Sequence, residues 1–138
     1  MNTYTTSYTF QDFMVSLEEL LVKQFRGLQS LAQITTRERL ALSTGDANRL
    51  ASLTREKESM LEQIEIVVDS QHMILEEIGK VLGIRKKVTF SEDILPRLEP
   101  VPARRITRLR NGIMTLDDEV CDLNRGNQAL SQSNPQGF

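Results

Sequence analysis

Apolar residues in this chain recur at steps of three and four over three long stretches, and that spacing fixes the fold class before anything else. At 3.6 residues per turn, only an α-helix brings such positions onto one face. The first stretch holds Phe10, Phe13, Met14, Leu17, Leu20, Leu21, Phe25, Leu28, Leu31 and Ile34, and continues weakly to Leu42. The second has a seam at Leu50, Leu53, Lys57, Met60, Ile64, Val67, Gln71, Ile74, Ile78 and Val81, with Leu61, Val68, Leu75 and Leu82 beside it. The third runs Ile106, Leu109, Ile113, Leu116, Val120, Leu123, Asn127 and Leu130. A stripe as broad as the second touches more than one neighbour, which is the mark of a bundle rather than a two-stranded zipper.

Punctuation divides the stretches. Gly45 suits the left-handed residue that ends a helix, and Asp46 suits the cap of the next. A turn this short makes its two helices antiparallel neighbours. Gly83 ends the second helix. Pro96, Pro100 and Pro102 forbid a long helix in the link that follows, and Ser91 before Glu92, Asp93, Ile94 and Leu95 reads as the cap of a short one. The expected organisation of residues 1–138 is a single all-α domain, an elongated antiparallel helical hairpin plus a third long helix, coiled-coil-like. Residues 1–9 form a flexible arm, 10–44 helix 1, 46–82 helix 2, 83–101 a linker with a short helix near 91–98, 102–131 helix 3, and 132–138 a disordered tail. Gly27 within helix 1 costs about 1 kcal/mol relative to Ala without breaking the pattern.

Composition agrees and excludes other classes. With 39% hydrophobic and 26% charged residues in 138, this is neither a disordered nor a membrane composition. No window approaches the roughly 20 apolar residues that span a bilayer, so no membrane insertion is expected. A net charge of −2 does not suggest a nucleic-acid binder, which carries a basic excess. The start, Met1 to Phe10, shows no basic region followed by an apolar core. A single cysteine allows no internal disulfide and fits a reducing compartment. The expected location is the cytoplasm.

Chemistry is sparse. His72 falls one position past the seam residue Gln71 and points outward, as a phosphotransfer histidine also would, although Met73, Ile74 and Leu75 are not such a histidine's usual setting. Cys121 lies beside Val120 without a base to activate it. One Cys and one His make no metal site. Glu18-Glu19, Glu76-Glu77 and Asp117-Asp118-Glu119 read as solvated helix faces. No glycine-rich phosphate loop appears, so neither a cofactor nor a catalytic residue is expected. Arg85-Lys86-Lys87 and the group Arg104, Arg105, Arg108 and Arg110 read as solvated basic surface, with nucleic acid or an acidic partner surface as the lesser alternatives. The arginine group wraps around its helix and lacks the interleaved aromatics of a single-strand binder.

The third seam is the most suggestive feature. Either it closes a three-helix core, or part of it is loosely held and available to a partner's amphipathic helix. The two readings stand level for residues 102–116. Beyond residue 116 the seam turns polar at Asn127 and Gly126 weakens the helix, which favours the partner.

The segment around Gly45-Asp46, Leu50, Leu53, Glu56, Lys57, Met60 and Leu61 resembles the flagellar export chaperones of the FlgN type. That family shows a helix ending in Gly-Asp, a Leu-rich stretch and Glu-Lys-x-x-Leu-Leu. Its last helix often carries Leu-Asn-x-x-Asn, here Leu123-Asn124-Arg125-Gly126-Asn127, followed by Leu130. The resemblance covers about residues 10–132. It implies a cytoplasmic chaperone that binds the C-terminal helical segments of hook-associated proteins, prevents their early assembly and delivers them to the export gate and its ATPase complex. Carried onto this chain, the partner-binding residues are Ile113, Leu116, Val120, Leu123, Asn124, Asn127 and Leu130. Family tails can carry an aromatic used at the gate; here the only tail aromatic is Phe138. A monomer or weak dimer is expected. The rival readings are a non-enzymatic coiled-coil adaptor that dimerises through the same seams and, further off, a histidine phosphotransfer module using His72.

Overall fold

The computed structural model describes residues 9–133. Three long helices dominate: α1 over Phe10–Thr44, α2 over Ala47–Leu82 and α3 over Pro100–Ser133. The fold is an all-α bundle of three long helices, each about 50 Å long at ~1.5 Å per residue. The sequence assigned residues 1–9 to a flexible arm and 132–138 to a disordered tail. Residues 1–8 and 134–138 lie outside the described residues. Thr9 belongs to α1 as its cap, and Gln132 and Ser133 are the last residues of α3.

Local chemistry sets the ends. The Thr9 hydroxyl accepts from the Asp12 N–H at 3.2 Å, while the Asp12 carboxylate accepts from the Thr9 N–H at 2.9 Å, a reciprocal capping box. The Thr9 backbone N–H and then its hydroxyl hold the Asp12 carboxyl below its ordinary value. Gly45 takes φ 70° and donates its N–H to the Ala41 carbonyl. Asp46 then accepts from the Arg49 N–H at 3.0 Å and opens α2. Helix α3 starts at Pro100, two residues before the expected Pro102. The Ala103 N–H bonds to the Glu99 carbonyl at 3.0 Å, which puts both prolines in the first turn. Backbone N–H groups there have no partner inside the helix, so proline's missing donor costs nothing.

Between α2 and α3 the expected short helix is instead a wide π-helical turn, Phe90–Ile94, followed by a 3₁₀ turn, Leu95–Arg97. Thr89, not Ser91, precedes it. The Asp93 carboxylate accepts from the Thr89 N–H at 2.8 Å and sits beside Lys86 at 3.7 Å. The Thr89 N–H is the largest influence holding the Asp93 carboxyl below its ordinary value. Val88, Phe90 and Ile94 are buried in the main core, so the linker is packed down rather than slack.

Helix α1 sits in the middle. Met14, Leu17, Leu21, Leu28, Leu31, Ile34, Ala41 and Leu42 are all buried along it, and both other helices pack against α1. On α2 the buried side chains are only Leu53, Gln71 and Ile78. Helix α2 returns antiparallel to α1. Helix α3 runs parallel to α1 in a constant register. Glu18 meets Arg105, Phe25 meets Gly112 and Arg39 meets Gly126, each pair separated by the same 87 residues. A Cβ on Gly112 would stand 2.8 Å from the Phe25 ring, and one on Gly126 would overlap the Arg39 guanidinium where it now lies, so both glycines let α3 lie close.

The central position of α1 predicts unequal costs along it. Leu31, 2% exposed, should lose about 2–5 kcal/mol of stability on change to Ala. Leu40, 63% exposed, should lose no more than about 0.5 kcal/mol. Urea unfolding of the two variants checks this. Equal losses would mean that α1 is not the shared core.

Candidate functional site

The distal half of α3 carries most of the residues expected to bind a partner, and all seven are now placed. Ile113, Val120 and Asn127 are buried against α1, while Leu116, Leu123, Asn124 and Leu130 are half-buried beside them. They form one continuous face, closed onto the molecule's own helices. From sequence, core closure and partner binding stand level for residues 102–116 and the partner is favoured beyond 116; in the structure α3 is docked along α1 over both parts. Its proximal half is fixed by Ile106 and Ile113 in the core and by the Arg105 guanidinium, whose Nε and Nη2 each donate to a Glu18 oxygen at 2.8 Å. Glu18 is therefore not merely a solvated charge.

The distal half is held differently. The Arg39 Nε donates to the Asn127 Oδ1 at 3.0 Å, and the Arg39 Nη2 donates to the Leu123 carbonyl at 3.2 Å. The Asn127 amide then donates to the Thr35 carbonyl at 2.9 Å. From α2, the Lys57 ammonium donates to the Asn124 Oδ1 and to the Glu38 carboxylate, the latter at 2.8 Å. The Thr54 hydroxyl also reaches Glu38, at 3.4 Å. This polar layer ties all three helices together where a core of leucines would be expected. Among the described residues no buried side-chain nitrogen or oxygen lacks a partner, so the layer is fully satisfied.

Reasoning from sequence found Asn124, Asn127 and Lys57 but missed Glu38 and Arg39. The available signal was polarity at seam positions: a lysine and an asparagine in two apolar stripes need partners on the facing helix. Gly126 gave a second signal, since a glycine inside a helix marks a close approach.

The remaining candidates are scattered. His72 is exposed and lines a groove of about 580 Å³ with Lys80, Arg85, Lys86 and Lys87 at the α2–linker junction. Cys121, expected at the edge of the seam, is exposed because it lies a third of a turn past Val120 on the outer side. Arg110 stacks over the Phe90 ring, 4.1 Å from its centre, which ties the linker to α3. Burial lowers the Arg110 guanidinium pKa from its ordinary value. Among the described residues no group of three His, Cys, Asp or Glu side chains could hold a metal ion, and no helix is long and apolar enough to cross a membrane.

Asn127→Ala should leave the Arg39 Nε and the Thr35 carbonyl without their partner and cost about 1–3 kcal/mol. Hydrogen exchange should report the loss of protection mainly beyond residue 116. An unchanged stability would show that the layer holds nothing.

Among known families, the model described as FlgN protein matches residues 14–136 of the chain. Comparison with curated proteins and with solved structures finds no match.

Proposed function

The chain belongs to the FlgN family of flagellar export chaperones, and from that premise we propose that it binds helical segments of hook-associated proteins through the inner face of α3. The observation that carries the reading is the change in how α3 is held. Its proximal half is locked by aliphatic packing and a bidentate ion pair. Its distal half rests on Val120, on the half-buried Leu116 and Leu123, and on a set of hydrogen bonds. Hydrogen bonds exchange between partners at little net cost, because each donor finds an equivalent acceptor in water or in a client. Buried leucines do not exchange so easily.

Release of the distal half would open two apolar surfaces together. One is the α3 face with Leu116, Val120 and Leu123. The other is the α1 groove it covers. An amphipathic client helix could take either place. Such a chaperone would work in the cytoplasm, keep its client from assembling and hand it to the export gate or ATPase complex. A tail contact at the gate through Phe138 falls outside the described residues. The adaptor reading needs the seams to be spent on a second copy of the chain, whereas here they are spent on its own helices.

Binding of a peptide spanning the C-terminal helix of a hook-associated protein tests the surface. Leu116→Glu with Leu123→Glu, both half-buried, should weaken binding by at least about tenfold, since each removes apolar contact area and adds a charge. Arg39→Ala should act in the opposite direction. It loosens α3, raises the population of the open form and tightens the peptide's apparent affinity. Circular dichroism confirms the fold of each variant. If Arg39→Ala weakens binding, the layer belongs to the bound state and the release model is wrong.

A further inference from the structure

Helix α3 carries a second heptad seam on its outer face, directly opposite the buried one. Arg104, Arg108, Asn111, Thr115, Asp118 and Asp122 follow one another at alternating steps of four and three, and all six are exposed. None of them is apolar, so this seam adds nothing to the core. Its order of charge is what stands out. The six positions are symmetric about Ile113: Arg104 and Asp122 lie nine residues to either side, Arg108 and Asp118 five, and Asn111 and Thr115 two. Read from the opposite direction, the seam is its own complement.

We propose that two copies of the chain associate through this face, with their α3 helices antiparallel about a two-fold axis at Ile113. In an antiparallel pair, the residues of one seam meet those of the other in alternating layers. Arg104 then meets Asp122 of the second copy, Arg108 meets Asp118, and Asn111 meets Thr115. Each contact occurs twice, as a two-fold interface requires. Arg104, Arg108 and Asp118 form no ion pair within the chain among the described residues. Asp122 has only the exposed neighbour Arg125 at 3.5 Å.

The surroundings suit the same occupant. A groove of about 500 Å³ runs beside the basic half, floored by Leu95 and Ala103. The acidic half of the second copy's α3 would lie there. Met114, 65% exposed, sits on the same flank, close to the axis, and would be covered. A nucleic acid or a uniformly acidic helix would meet Asp118 and Asp122 at the far end and be repelled. Only a helix with the reversed charge order matches both halves, and this chain supplies one.

Exposed ion pairs contribute little each and are screened by salt, so the dimer is weak, dissociating on the order of hundreds of micromolar, and salt-labile. This association does not rest on the client-binding reading, since the inner seam stays closed in it.

Sedimentation equilibrium up to about 1 mM protein, in about 20 mM and about 500 mM salt, tests the proposal, with at least about tenfold weaker association expected at high salt. Arg104→Asp with Arg108→Asp makes the seam wholly acidic, and Asp118→Arg with Asp122→Arg makes it wholly basic. Each variant alone should be monomeric. Mixed one to one, they should associate again. A chain carrying all four exchanges should dimerise like the original and guards against a variant that simply unfolds. A monomer at every salt concentration, a dimer indifferent to the reversals, or a mixture that stays apart would each overturn the proposal.

Discussion

The helix that must be apolar on two sides sets the terms for the others. Helix α1 receives α2 on one flank and α3 on the other, and its buried residues, from Met14 to Leu42, serve both. A helix with one apolar stripe could not do this, because the second neighbour would bury polar side chains without partners. The register of α3 along that flank is fixed by polar contacts to α1, Arg105 on Glu18 near its start and Arg39 on Asn127 and the Leu123 carbonyl further along.

The helices and their turns could be read because they rest on local chemistry. A three–four period, Gly45 before Asp46 and prolines at a first turn each act within a few residues. The placement of Ile106, Ile113 and Val120 in the core follows from the same period. What could not be read depends on pairing across distant parts of the chain. Arg39 reaching Asn127 spans 88 residues, and nothing near Arg39 announces it. The π-helical turn was missed because Asp93, two residues past the expected cap, wins the Thr89 N–H. Gly27 looked like a simple cost to α1. A Cβ there would meet Ile64 at 2.8 Å, so the glycine is the space that α2 needs.

The candidate site shows the same division. Sequence pattern located the face of α3 and the change in its character beyond residue 116. It could not show that the face is already occupied by α1. A seam that turns polar reads as weak when its partners are unknown, yet the same polarity is a satisfied network once Glu38, Arg39 and Lys57 are in place. Such networks specify one register more than they add stability. That distinction separates a helix that is loose from one that is held in a particular place and can be let go.

The packed linker has a further consequence. With Phe90 and Ile94 buried and Arg110 stacked on Phe90, the first turns of α3 are anchored, so the release proposed above would start from the Ser133 end. A segment tethered at one end remains at a local concentration on the order of millimolar around its own groove. Any helix competing for the α1 groove competes against that concentration. Segments with only generic amphipathic character would be outcompeted by the tethered helix, and those matching the groove well would not. Under the proposed release the tether would act as an affinity threshold, set by chain geometry rather than by any single contact.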